Sequence, residues 1–492
     1  MHREDIQDVY PPSPLQHGIL FHGLLHPRPG LYTSQFTCSL EGPFDRLAFL
    51  RAAQALVDRH AIFRTAFAWE GLDEAVQVVL RDVKLPVREL DWSDRSAADQ
   101  QHDWTRLLEA DREQGFRFDR APLTRLVLCK LAFDRCDLLW SFHHLIMDGW
   151  AEAIVVRELL RLYQALTGGE EARLPPAPSF RGYIEWLRGW TRHGAGSGAE
   201  AFWRDTLRGF RAPTPLPADR EPDRGSHAAG DGVDARRIQL SRRRTSALRE
   251  LARRHRLTLN TLVQGAWALV LAQTSGRDDV VFGAAVSGRP PGLPGVEWTV
   301  GPFVNAVPVR ARVEPRRALL DWLRQLQDAQ LAIRQYEFCP LIDVQGWSEL
   351  PRERPLFSTF LAFQNGPALA APDAEAGALR VAHARFRGGS TNYPLTLEAE
   401  PEEELILILN FDRSRFSAGR VGQLLGDLST VLDAFAERPR QDLAAVLEDL
   451  EHGRRQREQE AATKLRQANV QRLRGLRTGR QDVHALQKGA SR

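Results

Sequence analysis

The run Ser141-Phe142-His143-His144-Leu145-Ile146-Met147-Asp148-Gly149-Trp150 gathers two imidazoles, a carboxylate and a glycine into one short stretch. Imidazole is the side chain that exchanges a proton near neutral pH. A glycine leaves its backbone N–H open to approach, and a helix N-terminus adds positive potential where an oxyanion could form. The combination suits acyl transfer. Side chains alternate across a strand, so one histidine faces a substrate channel and the other packs behind it. The same alternation keeps His143 and His144 from sharing an ion, and no Cys or His cluster lies nearby, so no metal site is expected. The plainer reading is one core and one surface histidine beside an Asp-Gly turn.

The elements that must position this turn are legible around it. The apolar stretch Cys136 to Phe142 reads as a strand entering the turn, and Trp150 to Ala165 as an amphipathic helix leaving it. Within residues 1–175, Pro14 to Leu25 reads as a helix capped by Ser13, and Asp45 to His60 as a second. Tyr32 to Leu40 and Leu123 to Leu131 have strand character. Residues 176–235 read as a crossover and linker, with Gly194 to Gly198 small and flexible and 211–233 rich in Pro, Gly, Asp and Arg. A second α/β unit spans 236–450. Its helices are expected at Thr245–Arg254, Leu259–Ala272, Leu319–Gln335 and Ala418–Ala434, and its strands at Val280–Val286, Phe303–Val309, Phe357–Phe363 and Glu404–Phe411.

Residues 451–492 form a basic tail with eleven Lys/Arg against four Asp/Glu, a net +7. Its apolar residues are sparse. The expectation is a weakly ordered segment, helical at most around Lys464 to Leu476, whose removal leaves the melting temperature nearly unchanged. The alternative is a docking helix for a partner.

With 492 residues, two domains are expected, and 43% apolar with 26% charged residues marks an ordinary soluble globular chain. A formal charge of +3 gives no electrostatic case for nucleic acid. No run of about twenty apolar residues offers a membrane span. Cys38, Cys129, Cys136 and Cys339 show no CxxC spacing. Together with an N-terminus lacking a signal peptide's apolar core, they fit reduced thiols in a cytoplasm.

The motif His-His-x-x-x-Asp-Gly closely resembles the active-site motif of the condensation domains of nonribosomal peptide synthetases, and of the wider chloramphenicol-acetyltransferase-like superfamily. Further segments match in the expected order. Ser13-Pro14-Leu15-Gln16-His17-Gly18, within residues 10–22, looks like the first motif, and Asp58 to Phe67, with Arg59-His60 and Arg64, like the second. Tyr183-Ile184-Glu185-Trp186 resembles the fourth, and Val300-Gly301-Pro302-Phe303-Val304-Asn305 closely matches the fifth. Pro340 to Trp347 sits at the sixth and Thr391-Asn392-Tyr393-Pro394-Leu395 at the seventh. The likeness covers roughly residues 5 to 450. Two departures stand out: Ala151 where many members carry Ser, and Arg387-Gly388-Gly389-Ser390 in place of the usual Arg-Asp pair.

The resemblance implies an α/β (α+β) fold of two chloramphenicol-acetyltransferase-like lobes arranged in a V, with the active site at their junction. It implies an acyltransferase of nonribosomal peptide or hybrid polyketide biosynthesis. A carrier-bound acyl thioester would pass to an amine, or a hydroxyl, giving an amide or an ester. The partners would be acyl or peptidyl carrier proteins that bring the 4′-phosphopantetheine arm, so the enzyme would bind no cofactor of its own and no metal. With no adenylation, carrier or thioesterase segment in these residues, a free-standing enzyme or a terminal or excised module is expected, as a monomer or as part of a synthetase assembly.

The same likeness assigns roles. His144 would orient the amine and accept its proton, as a general base or as a positioning acceptor. The Gly149 N–H would donate to the oxyanion, and His143 would fix the turn from behind. Asp148 would be structural, paired with Arg289 or else Arg277. Gln16, Trp150 and Asn305 would line the tunnel, although Asn305 reads equally well as a satisfied strand-end asparagine. The alternatives are a CoA-dependent acyltransferase acting on a small soluble acceptor, a non-catalytic scaffold and, through the shared turn, an epimerase.

Overall fold

The structure is a computed structural model that describes residues 3–463, apart from 26, 29, 193–195, 197, 220–231, 365–378, 390, 458 and 461–462. The expected helix at Lys464–Leu476, Ser390, and most of the small-residue and 211–233 loops lie outside the described residues.

The first half runs Ile6–Tyr10 (β1), Pro14–Leu25 (α1), Thr33–Glu41 (β2), Arg46–Arg59 (α2), Thr65–Ala68 (β3), Val76–Leu80 (β4), Val87–Asp91 (β5), Ala97–Gln114 (α3), Thr124–Ala132 (β6), Arg135–His143 (β7) and Gly149–Gly168 (α4). Phe180–Arg192 (α5) and Ala199–Leu207 (α6) follow. The second half holds Val233–Gln239 (β8), Arg242–His255 (α7), Leu259–Ser275 (α8), Asp279–Val286 (β9), Asn305–Arg312 (β10), Leu319–Ile333 (α9), Leu341–Trp347 (α10), Thr359–Phe363 (β11), Arg380–Arg387 (β12), Leu395–Pro401 (β13), Leu405–Asp412 (β14) and Ala418–Glu437 (α11).

Two large sheets organise these elements. One is five-stranded, in the order β12-β2-β7-β6-β5, and the other six-stranded, β10-β9-β11-β13-β14-β8. A three-stranded sheet, β1-β4-β3, accompanies the first. α2 and α4 share the first core with the apolar side chains of β2, β6 and β7. In the second, every residue of α8 from Thr261 to Ala272 is buried. A helix apolar all round must be covered on every side, and the strands and the helices α7, α9 and α11 do this.

Local chemistry explains the ends of the elements. Ser13 and Gln16 form a reciprocal capping box on α1: the Gln16 N–H donates to Ser13 Oγ and the Ser13 N–H to Gln16 Oε1. Asp45 caps α2 by accepting the Ala48 N–H at 3.0 Å.

The division into halves needs three corrections. β12, expected within the second unit, pairs antiparallel with β2 and forms the edge of the first sheet. Residues 183–187, read as crossover, are a helix whose Tyr183, Ile184 and Leu187 are buried in the first core, together with Val296, Val300 and Phe303. Third, packing does not stop at Leu450. Residues 443–457 are helical. Leu443, Val446 and Leu450 enter the second core, and Arg454 and Arg457 both reach the fully buried Asp427. The apolar count of the tail was misleading, because its first turns are held by charge.

A chain ending at Leu450 would strip Asp427 of both arginines that bond it, and removing one side of a buried pair typically costs about 3–5 kcal/mol. Truncation there is expected to lower the melting temperature, and Asp427→Asn in the truncated chain to recover part of the loss. Equal melting of the full and truncated chains would show that the pair contributes nothing.

Candidate active site

β7 carries its apolar alternation to His143 and stops. The next residues turn back, with the Ile146 N–H donating to the His143 carbonyl at 3.0 Å. His143 is 1% exposed and ringed by aromatic residues, with Phe118 4.9 Å away centroid to centroid and Phe116 and Tyr32 edge-on. Its Nδ1 accepts the Leu145 N–H at 3.2 Å. Burial, with His144 adding repulsion, pushes its pKa down to about 3, so it is a neutral brace.

His144 is only half-buried. Its Nδ1 lies 3.1 Å from the Met147 carbonyl, which can only accept, so Nδ1 carries the proton. Its Nε2 lies 2.9 Å from Ser34 Oγ on β2. Burial lowers its pKa, partly offset by the Met147 carbonyl and the Asp148 charge. The result is a neutral imidazole of fixed tautomer.

Asp148 caps α4, accepting the Ala151 N–H at 2.9 Å. Its other oxygen accepts the Phe303 N–H at 2.9 Å and the Val304 N–H at 3.3 Å, and Arg289 Nη2 lies 3.4 Å from Oδ1. Both charged side chains are about 5% exposed or less. Arg289 also donates to the Val296 and Thr299 carbonyls and lies over the Phe303 ring at 4.1 Å. These contacts explain why β10 starts at Asn305 rather than at Phe303: the two preceding N–H groups serve Asp148 instead of a strand ladder. Gly288 delivers Arg289 from a left-handed conformation, φ +60°, so close to the chain that a Cβ would lie 1.8 Å from the Phe303 carbonyl oxygen. Arg277 is not part of this cluster.

A cavity of about 400 Å³ opens against this turn. Asp148, Gly149 and Trp150 form one end, and Val307, Gln330 and Gln364 are among the residues of its other walls. A Cβ at Gly149 would lie 3.6 Å from Gln364 Oε1, in van der Waals contact with it at the cavity wall. Trp150 donates its indole N–H to the Glu297 carbonyl at 3.4 Å. His144 does not line the cavity.

Two tunnel assignments need correcting. Gln16 is fully buried, and its amide is taken up by Ser13, by Gln77 Oε1 at 2.9 Å and by the Leu145 carbonyl at 2.8 Å. It braces the turn from behind. Asn305 spends its amide on the Glu337 and Cys339 carbonyls at 2.8 and 2.9 Å, the satisfied strand-end arrangement. Ser34 was missed, since only the pairing of β2 with β7 brings it beside His144.

Beneath the site, Glu398 on β13 accepts from Asn410 at 2.8 Å, and burial, reinforced by Glu400, raises its pKa to about 7. Between its ordinary value of 4.5 and about 7 the folded chain holds a proton that the unfolded chain has released, so stability falls as pH rises through this window. Glu398→Gln is expected to flatten that slope in melting curves taken from pH 4.5 to 8. An unchanged slope would place the titration elsewhere.

Residues 6–452 match the family model described as the condensation domain. The chain is 42% identical over 443 residues to one of the linear gramicidin synthase proteins of Brevibacillus parabrevis, covering 90% of this chain and 8% of that protein. It is 32% identical over 479 residues to the chondramide synthase cmdD of Chondromyces crocatus, covering 89% of this chain and 12% of that protein. The chain thus spans about a tenth of the length of these relatives. Among solved structures, the first condensation domain of the calcium-dependent antibiotic synthetase, in complex with a substrate analogue, superposes with a TM-score of 0.74 at 18% identity, over 89% of this chain and 99% of that one. The condensation domain of the monacolin K polyketide synthase MokA superposes at 0.73 with 19% identity, over 89% and 100%. No helix among the described residues is long and apolar enough to cross a membrane, and no cluster of three or more His, Cys, Asp or Glu there could hold a metal. Family model, relatives and geometry converge on one statement: this chain belongs to the condensation-domain family.

Proposed function

We propose that the domain transfers an acyl group from a carrier-bound thioester to an amine, forming an amide in the assembly of a nonribosomal peptide. The observation that carries this reading is a neutral, tautomer-fixed His144 at the end of β7, one turn of chain before α4, whose N-terminus closes a substrate-sized cavity. The relatives, by name a linear gramicidin synthase and a chondramide synthase, support it.

The chemistry asks mainly for positioning. The amine nitrogen attacks the thioester carbonyl carbon, and holding both reactants in one site contributes several kcal/mol, of order 7 or more when alignment is good. His144 Nε2 takes the proton that the nitrogen loses. The carbonyl oxygen gains charge next to the N-terminus of α4, where the Gly149 N–H and the helix dipole favour it. Collapse of the adduct expels the thiolate with its electron pair, and the imidazolium returns the proton to sulfur. Asp148 and Arg289 hold the turn and the start of α4 against Phe303 and Val304, and His143 fixes the turn from below.

Intact mass spectrometry of loaded carrier proteins, with and without this domain, tests the reading over a panel of amines and alcohols. Acyl transfer from a carrier thioester to an amine is the expected result. Transfer only from acyl-CoA to a small acceptor would establish the other acyltransferase reading, and no transfer with any donor would favour a scaffold.

A further inference from the structure

The nitrogen that must take the amine proton is already engaged. Ser34 lies on β2, fully buried, with its Oγ 2.9 Å from His144 Nε2. The Gly389 N–H donates to the same Oγ at 3.1 Å. Because the Met147 carbonyl fixes the imidazole proton on Nδ1, Nε2 holds only a lone pair. Ser34 must therefore be the donor to Nε2, and Gly389 leaves its hydroxyl free to point there. Gly389 can come this close only as glycine, since a Cβ would lie 2.8 Å from the Thr33 backbone. Ser34 thus receives one bond from the segment following β12 and gives one to the base.

Resting on the acyl-transfer reading above, we propose that Ser34 is a positioning residue that masks the lone pair of His144 until the acceptor amine displaces its hydroxyl. While the mask is in place, the O–H donated to Nε2 favours the neutral ring and, with the Met147 carbonyl on Nδ1, holds it in one orientation. Once the amine takes the place of the hydroxyl, its nitrogen bonds to the thioester carbon, its proton moves to Nε2, and the C–S bond breaks with the electron pair leaving on sulfur. That sulfur then takes the proton from Nε2. Ser34 exchanges no proton and makes no covalent bond; it sets where the base points and how readily it is protonated.

The role predicts a pH signature that general packing damage would not give. Removing the donor to Nε2 makes the imidazolium relatively more favourable, so the pKa of His144 rises. In Ser34→Ala, the acid limb of kcat/KM is expected to move up by about one pH unit, a tenfold loss on that side relative to the plateau. KM for the amine should fall, since nothing has to be displaced. An acid limb that stays where it is, with kcat/KM lowered equally at every pH, would overturn the proposal. Nitrogen-15 NMR of the histidine-labelled wild-type domain provides a readout that needs no turnover and no variant. The expected spectrum shows His144 neutral with Nδ1 protonated and Nε2 in a hydrogen bond, and addition of a free amine acceptor shifts the Nε2 resonance alone. A proton found on Nε2 would equally overturn the proposal. If the tautomer is as expected but no donor is ever condensed, the positioning of His144 stands and the acyl-transfer reading fails, so the two failures are distinct.

Discussion

His144→Ala is expected to lower turnover by about 10²–10⁴-fold, the usual contribution of a positioned base, while leaving the fold in place. The side chain is half-buried, and its hydrogen bonds go to the Met147 carbonyl and Ser34. Neither partner depends on it for more than one bond, so the loss of stability should be small beside the loss of rate. Single-turnover transfer from a loaded carrier, measured with a natural amine, reads the effect on chemistry. A soluble variant that keeps full activity would remove His144 from the mechanism. Strongly activated donors are to be avoided in this assay, because a better leaving group lessens the demand for the base.

Asp148→Ala should act first on stability. It removes the cap of α4, the acceptor for two N–H groups at the start of the second half's motif, and the counter-charge of Arg289. Leaving a buried arginine uncompensated typically costs about 3–5 kcal/mol, with about 1 kcal/mol more from the cap. Arg289→Ala should cost less, because Asp148 keeps its three backbone donors. The double variant should melt close to Asp148→Ala alone, since most of what Arg289 contributes there is lost with its partner. Strictly additive losses in that cycle would show that the two side chains are not coupled.

Much of the site is legible in the sequence. The strand into the turn, the helix out of it, and the partnership of Asp148 with Arg289 follow from local pattern and from motif likeness. The ends of α1, α2 and α4 are readable because capping residues announce themselves within three positions. Other elements resist for physical reasons. β8 and β12 are edge strands whose side chains are mostly exposed, so Val-Asp-Ala-Arg-Arg-Ile-Gln and Arg-Val-Ala-His-Ala-Arg-Phe-Arg carry no buried face to set a period. α3 is dominated by charge, with only Leu107, Leu108 and Asp111 buried. Gln16 was misplaced, and Asn305 left between two readings, because an amide near a cleft and an amide bracing a turn look alike in sequence; only their partners tell them apart. Ser34 lay beyond reach for a different reason, since it meets His144 across 110 residues of chain.

The strand β12 leaves the second half, completes the edge of the first sheet, and is followed at once by Gly389 beside the base. Mechanically, the two halves are therefore tied at several places: through this borrowed strand, the Asp148–Phe303 clamp, the Trp150–Glu297 and Tyr32–Asn392 hydrogen bonds and the Arg28–Asp412 ion pair. A single hinge cannot open them without breaking several of these contacts at once.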